Sequence, residues 1–319
     1  MQGLIIINAY PNGEKFIRQG DRIAQELHAL GTPTDVLRNG EIYASICDGE
    51  VEIQLPKKYD FIVYLDKDKY LGKALEQKGF RLFNSASAIE VCDDKVLTYF
   101  ALKNAGVRAA KTIPAPLCYT PNAKANEAFL QKVTEELSFP LVVKKSYGSF
   151  GAGVRLAKDF SELKTVANDF LHEPHCYQQF LVESAGKDIR VIVIGGKAVA
   201  AMERVAKAGE FRSNIELGGE GKRIDLTKAY AETAEKAAKA LGLDYCGVDL
   251  LETAQGAVVC EVNSNAFFEG LEKTTGVNVA KKYTEYILSV LSLFLRDRTT
   301  GGKSRDFIVK SLDKIIGKC

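Results

Sequence analysis

Asp249, Glu261 and Asn263 are the residues whose types and spacing most directly suggest chemistry. They lie in two short runs rich in β-branched residues, 248–252 and 258–263, joined by a polar, glycine-containing stretch at 253–257. The pattern predicts an antiparallel hairpin. With Glu252 opposite Val258, Leu251 would face Val259 and Asp249 would face Glu261, and Asn263 would share their side of the sheet. Opposed carboxylates in an otherwise apolar hairpin need a counter-charge. An all-oxygen donor set without histidine or cysteine suits a hard divalent ion such as Mg²⁺, or Mn²⁺. The competing reading is a half-exposed hairpin with its acids in water.

Three further stretches carry charge in suggestive places. In Phe139-Pro-Leu-Val-Val-Lys144-Lys-Ser-Tyr-Gly148-Ser149-Phe-Gly151-Ala-Gly153, an apolar strand delivers Lys144 to a loop whose glycines can turn backbone N–H groups toward phosphate. The spacing matches neither the dinucleotide fingerprint nor a P-loop, so a plain hairpin turn competes with a phosphate lid; the pair Lys144-Lys145 favours the lid. Lys95 falls in the first turn of an expected amphipathic helix over 92–106, where a cation gains nothing from the helix dipole. It would meet an anion there or simply be solvated. Arg190, Arg204 and Arg212 lie in a strand-rich region, either as exposed strand ends or as guanidinium forks that stabilise charge on a transferring group.

The elements that must hold these residues begin with alternation. Strands at 4–8, 61–65 and 80–83 and helices at 16–30 and 70–78 predict a small, largely parallel sheet with helices over it. The loop Ala9-Tyr-Pro-Asn-Gly13 follows the first strand, where such sheets bind ligands, although loops there are also plain turns. Downstream, a helix at 161–171, a strand at 175–182, a hairpin turning at Gly195-Gly196 and a helix at 227–241 lead into the acidic hairpin. A long helix at 277–294, a Thr-Thr-Gly-Gly linker and an amphipathic helix at 307–316 follow. The chain has 319 residues, 46% hydrophobic and 26% charged, which is globular composition with room for several subdomains. Net charge +2 carries no nucleic-acid footprint, and no run approaches a membrane span or a signal segment. Seven scattered cysteines predict reduced thiols and three histidines make no zinc set, so a cytoplasmic setting is expected.

In order, Asp94-Lys95, Pro140-Leu-Val-Val-Lys144 with its glycine loop, Gln178-Gln-Phe-Leu181, Lys187-Asp-Ile-Arg190, Phe211-Arg-Ser-Asn214, Gly247-Val-Asp249 and Glu261-Val-Asn263 resemble the ATP-grasp ligases, and among them the RimK-type glutamate ligases. The resemblance covers residues 80–285. It implies an α/β fold with α+β subdomains: a parallel βαβ domain at 1–90 preceding the ATP-grasp body, a central subdomain with the lid at 91–180, a metal-bearing subdomain at 181–295, and a linker and helix at 296–319. It implies ATP and Mg²⁺ (or Mn²⁺), with Lys95 and Lys144 on nucleotide phosphates, Gln179, Phe180 and Asp188 at adenine and ribose, and the loop carrying Gly148, Ser149, Gly151 and Gly153 closing over them. Arg212, Ser213 and Asn214 would line the triphosphate region, and Asp249, Glu261 and Asn263 would hold the metal. The activity implied is a ligase joining an amino acid, glutamate favoured, to an acceptor amine or carboxylate of a small molecule or protein terminus, through an acyl phosphate. Nucleic acid and membrane are not expected as partners, and a homo-oligomer is left open. Two alternatives are a ligase of the D-alanine or glutathione type and a non-catalytic nucleotide-binding regulator. The chain departs from the family at Gln179, where an acid is common, and at Asn263-Ser-Asn-Ala-Phe267, where the family's Asn-Ala-Ser-Pro-Gly is replaced.

Overall fold

A computed structural model describes residues 1–10, 13–213 and 218–299. They pack as two units, Met1–Ser87 together with the residues from Phe267 on, and Ala88–Ala266.

The first unit opens with β1 (Gly3–Ile7), α1 (Lys15–Ala29) and β2 (Thr34–Arg38), then a hairpin of β3 (Tyr43–Cys47) and β4 (Glu50–Gln54), then β5 (Phe61–Leu65), α2 (Lys69–Gln77) and β6 (Leu82–Phe83). Its sheet runs β2-β1-β5-β6, all parallel. β1 and β5 are buried along their whole length, which is why they read as unbroken apolar runs rather than alternating ones. β2 and the β3–β4 hairpin escape the sequence expectation because they are polar and partly exposed. Pro11 and Asn12 of the expected ligand loop lie outside the described residues.

The second unit carries α3 (Ala86–Asp93), α4 (Lys95–Asn104), β7 (Thr112–Pro114), α5 (Glu127–Leu137), β8 (Leu141–Lys145), β9 (Val154–Ala157), α6 (Phe160–Asp169) and β10 (His175–Gln179). The single helix expected over 92–106 is broken. Asp94 adopts extended backbone and its carboxylate caps the N–H groups of Val96 and Leu97, so α4 starts afresh with Lys95 as its first residue. The sheet β7-β10-β8-β9 is antiparallel, and α5 and α6 cover it through Leu130, Val133, Leu163 and Val166.

The second sheet of this unit has the order β13-β12-β11-β14-β15, built from β11 (Lys187–Ile194), β12 (Lys197–Val205), β13 (Glu220–Arg223), β14 (Tyr245–Leu251) and β15 (Val258–Asn263), with α7 (Lys228–Leu241) between β13 and β14 in sequence. Ala234, Ala237, Ala238 and Leu241 of α7 pack on Ile189, Val191, Val193, Val248 and Leu250. Strand alternation then sends Asp188, Arg190 and Asp249 to the other face. β15 is an edge strand, and its outer backbone is clasped by preceding elements: Cys92 Sγ donates to Val262 O, Tyr99 Oη to Cys260 O, and Val259 N to Arg108 O.

Two helices, α8 (Glu269–Thr275) and α9 (Val279–Thr299), return the chain to the first unit. α9 runs past its expected end at Phe294, and the tail helix expected at 307–316 lies outside the described residues. No helix among the described residues is long and apolar enough to cross a membrane.

Candidate active site

Asp249 does face Glu261 across the β14–β15 hairpin, with Gly247 opposite Asn263. The expected pairing of Leu251 with Val259 is wrong: Leu251 pairs with Val258 and Leu250 with Val259, and a bulge at Cys260 restores the register before Glu261. The bulge has a packing cause. Val259 and Val262 are both core residues, which a regular period of two forbids; one extra residue between them lets both face inward and turns Cys260 and Glu261 toward the site. The apolar positions 258, 259 and 262 hold the signal that could have revealed it.

The counter-charges beside Asp249 are arginines. Arg190, its cross-strand neighbour on β11, donates Nε to Oδ1 at 2.6 Å and Nη2 to Oδ2 at 2.7 Å. Arg204 on β12 places Nη2 2.8 Å from Asp249 Oδ2 and grips Asp188 through Nε (2.6 Å) and Nη2 (2.5 Å). Ser213 Oγ donates to Asp188 Oδ2 at 2.6 Å. Arg204 and Asp249 are each only 3% exposed, so this is a buried ladder of alternating charge. Burial alone would raise the Asp249 pKa, but Arg190 and Arg204 outweigh it and hold the carboxyl below the usual range. At Asp188 burial prevails over Arg204 and the pKa is raised.

The lysines come from the other sheet. Lys144 on β8 is buried, with Nζ 3.6 Å from Cys260 Sγ. Burial opposes its charge, yet the neighbouring Cys260, Tyr99 and Glu261 raise its pKa. Burial pushes the Cys260 thiol up, against the pull of Lys144. Lys95 Nζ stands 3.3 Å from Glu261 Oε1 and donates to Gly148 O at 3.1 Å. The 148–153 loop joins β8 to β9 as a hairpin tip in which Gly148 (φ 123°) and Gly151 (φ 71°) take backbone that side chains resist. Arg212 donates Nη1 to Gly151 O at 2.8 Å, while Glu210 holds its Nε and Nη2.

One pocket gathers Lys144, Gly151, Gln179, Phe180, Asp188, Arg204, Arg212, Ser213, Asp249 and Glu261. Phe180 meets Phe211 edge to face at 6.1 Å, which fixes an aromatic wall. Ser184 and Cys260 also line the pocket and were not singled out by sequence. Lys95, Gly148, Ser149, Gly153, Arg190 and Asn263 are not among its lining residues, although Lys95 and Arg190 bond to acids that are. Asn214 lies outside the described residues.

The oxygens fit a hard cation in part. An ionised carboxylate offers about four lone-pair sites. Asp249 already accepts from Arg190 twice and from Arg204 once, which leaves it room for one further bond. Glu261 faces Lys95 with its side chain 30% exposed. The buried Asn263 Nδ2 has no hydrogen-bond partner, and exchanging amide nitrogen for oxygen would point a metal-competent donor the same way. Gly247 must be glycine, since a Cβ there would stand 2.5 Å from Ala266 Cβ and push on the loop that follows Asn263.

The chain is similar to known proteins. The chain is 34% identical over 231 residues to beta-citrylglutamate synthase B of Danio rerio, covering 72% of this chain and 56% of that one. It is 38% identical over 217 residues to a probable alpha-L-glutamate ligase of Thioalkalivibrio sulfidiphilus, covering 67% and 69%. The ATP-grasp ligase PsnB, solved with its minimal precursor, Mg and ADP, superposes with a TM-score of 0.64 at 17% identity over 90% of this chain and 97% of that one, a likeness of fold. The model of the RimK-like ATP-grasp domain matches residues 92–287, the stretch that holds both sheets and the pocket, and the chain belongs to that family.

Proposed function

We propose that the chain is an ATP- and Mg²⁺-dependent carboxylate–amine ligase of the glutamate ligase type, acting in the cytoplasm. The observation that carries this reading is the convergence of Lys144, Arg212 and the glycine hairpin tip with Asp249 and Glu261 in one pocket of a RimK-like domain. In this reading the γ-phosphoryl group passes to a substrate carboxylate, and an amine displaces phosphate from the acyl phosphate to form an amide. In this reading the expected subdomain 91–180 would supply the lid and lysines, and 181–295 the acids and arginines.

Gln179 and Phe180 lie beside the adenine, with Asp188, held by Arg204 and Ser213, at the ribose. Lys144, Lys95, Arg212 and Ser213 face phosphates. Asp249, Glu261 and Asn263 would hold Mg²⁺, which would supply neutralisation of phosphate charge. Arg190 fixes Asp249 at the pocket wall by a two-pronged grip. The pocket encloses about 110 Å³, well below the roughly 300–1,000 Å³ of small-molecule sites. Nucleotide entry therefore displaces the hairpin tip, and phosphate oxygens compete for the Lys95 and Arg212 donors that the Gly148 and Gly151 carbonyls hold. The loop 264–266, with Ala266 tight against Gly247, is where acceptor specificity would be set.

The test is an ADP-release screen pairing glutamate and other amino acids with acceptor amines and carboxylates, read by mass spectrometry. Mg²⁺-dependent ADP with an amide product supports the reading; tight Mg-ATP binding with no turnover across the panel overturns it in favour of a non-catalytic nucleotide binder.

A further inference from the structure

Behind the bulged strand β15 lies a second cavity, larger than the first, with a volume of about 570 Å³. Its one wall is the α4 stripe Val96, Tyr99, Phe100 and Lys103, which the helical repeat brings to one side; the other is Thr112 and Pro114 of β7. Phe100 is 56% exposed, an aromatic face turned to solvent in a concave setting. Among the described residues, Lys103 and Arg108 are the only charged side chains lining the cavity, and no carboxylate does. Arg108 is steadied by Gln255, donating Nη1 to its backbone oxygen at 2.6 Å and Nη2 to Oε1 at 3.2 Å, and keeps further N–H donors.

Two hydrogen bonds tie the wall of this cavity to the wall of the pocket described above. Tyr99 Oη donates to the carbonyl of Cys260 at 2.7 Å, and Gln178 Nε2 donates to Thr112 Oγ1 at 2.8 Å. Cys260 and Gln178 line the pocket, while Tyr99 and Thr112 line the cavity. A ligand that shifts α4 against β7 therefore pulls on the bulge beside Glu261 and on the strand that ends in Gln179.

We propose that this cavity is a second ligand site, for a small aromatic or aliphatic carboxylate, coupled to the nucleotide pocket through Tyr99. Its size is that of a small-molecule site, its walls take an apolar body, and its two cations take one anionic head. Nothing in the ligase chemistry uses it.

The chain contains no tryptophan, so an indole carboxylate can be followed by its own emission. The full chain is titrated into indole-3-propionate and anisotropy recorded. Saturable binding is expected, weakened by about tenfold or more in Lys103→Glu and in Phe100→Asp, both exposed positions where folding is not at stake. With saturating ADP the probe still binds, its affinity changed about fivefold or more, and ADP affinity changes by the same factor with saturating probe. In Tyr99→Phe the probe binds but that mutual shift is lost. Wild-type binding in both wall variants, outright displacement of the probe by ADP, or a full shift in Tyr99→Phe overturns the proposal. The wall variants are read without nucleotide, so a failure of the ligase reading leaves this test intact.

Discussion

In the β8–β9 hairpin, positive charge meets a backbone loop through single bonds: Lys95 to Gly148 O and Arg212 to Gly151 O. In the β11–β12–β14 ladder, charge meets charge, with each arginine gripping a carboxylate by two prongs and Arg204 bridging two acids. Single bonds to carbonyls are readily exchanged for bonds to phosphate, which are charge-assisted and stronger. A buried ion ladder is costly to disturb from either end. In the proposed function one half of the pocket opens and closes while the other holds its geometry throughout.

The sharpest way to break this contrast is Arg204→Met. It leaves Asp188 and Asp249 buried with less counter-charge and should cost about 3–5 kcal/mol, read by denaturant unfolding. A loss below 1 kcal/mol would mean that the ladder is not structural. Lys144→Met removes a buried charge without orphaning a paired one, so the unfolding midpoint should hold while nucleotide affinity drops by about tenfold or more. An equal drop in stability would move Lys144 into the structural half.

How much of this was legible in the sequence follows the same division. Asp249 opposite Glu261 could be read because the two strands are consecutive, although the bulge that delivers Glu261 required noticing that Val259 and Val262 break alternation. The Arg190–Asp249 grip spans 59 residues and depends on β11 lying beside β14, an adjacency that local pattern does not encode. The arginines read from sequence either as exposed strand ends or as forks for a transferring group; in the folded protein all three are gripped by carboxylates of the chain, Arg190 by Asp249, Arg204 by Asp188 and Asp249, and Arg212 by Glu210, the first two because a buried Asp249 demands its counter-charge. The break at Asp94 was readable in principle, since an aspartate there has two N–H groups to cap.

Smaller effects belong to the hairpin tip. Gly148→Ala imposes a side chain on backbone at φ 123° and should destabilise the tip by about 1 kcal/mol, raising its protease sensitivity with the global midpoint unchanged. The smallest concerns pH. The hydrogen bonds from Arg212 lower the Glu210 pKa to about 2, so the pairing it contributes is present above the ordinary carboxylate pKa and is lost only as pH falls toward 2. Tip sensitivity should be flat from about pH 5 to 8 and rise below about pH 4. A rise between pH 5 and 8 would assign the latch to another group.

The central claim, that Glu261 and Asp249 form the metal end of a ligase site, is tested most directly by Mg²⁺-dependent ADP release in Glu261→Gln. Glu261 is partly exposed and its only ion-pair partner among the described residues is Lys95, so the variant should unfold with the wild-type midpoint. Its ADP release with the acceptor found by the screen should fall by about 10²–10³-fold. Wild-type turnover in that variant, or undiminished wild-type turnover in the presence of a chelator, would contradict the account.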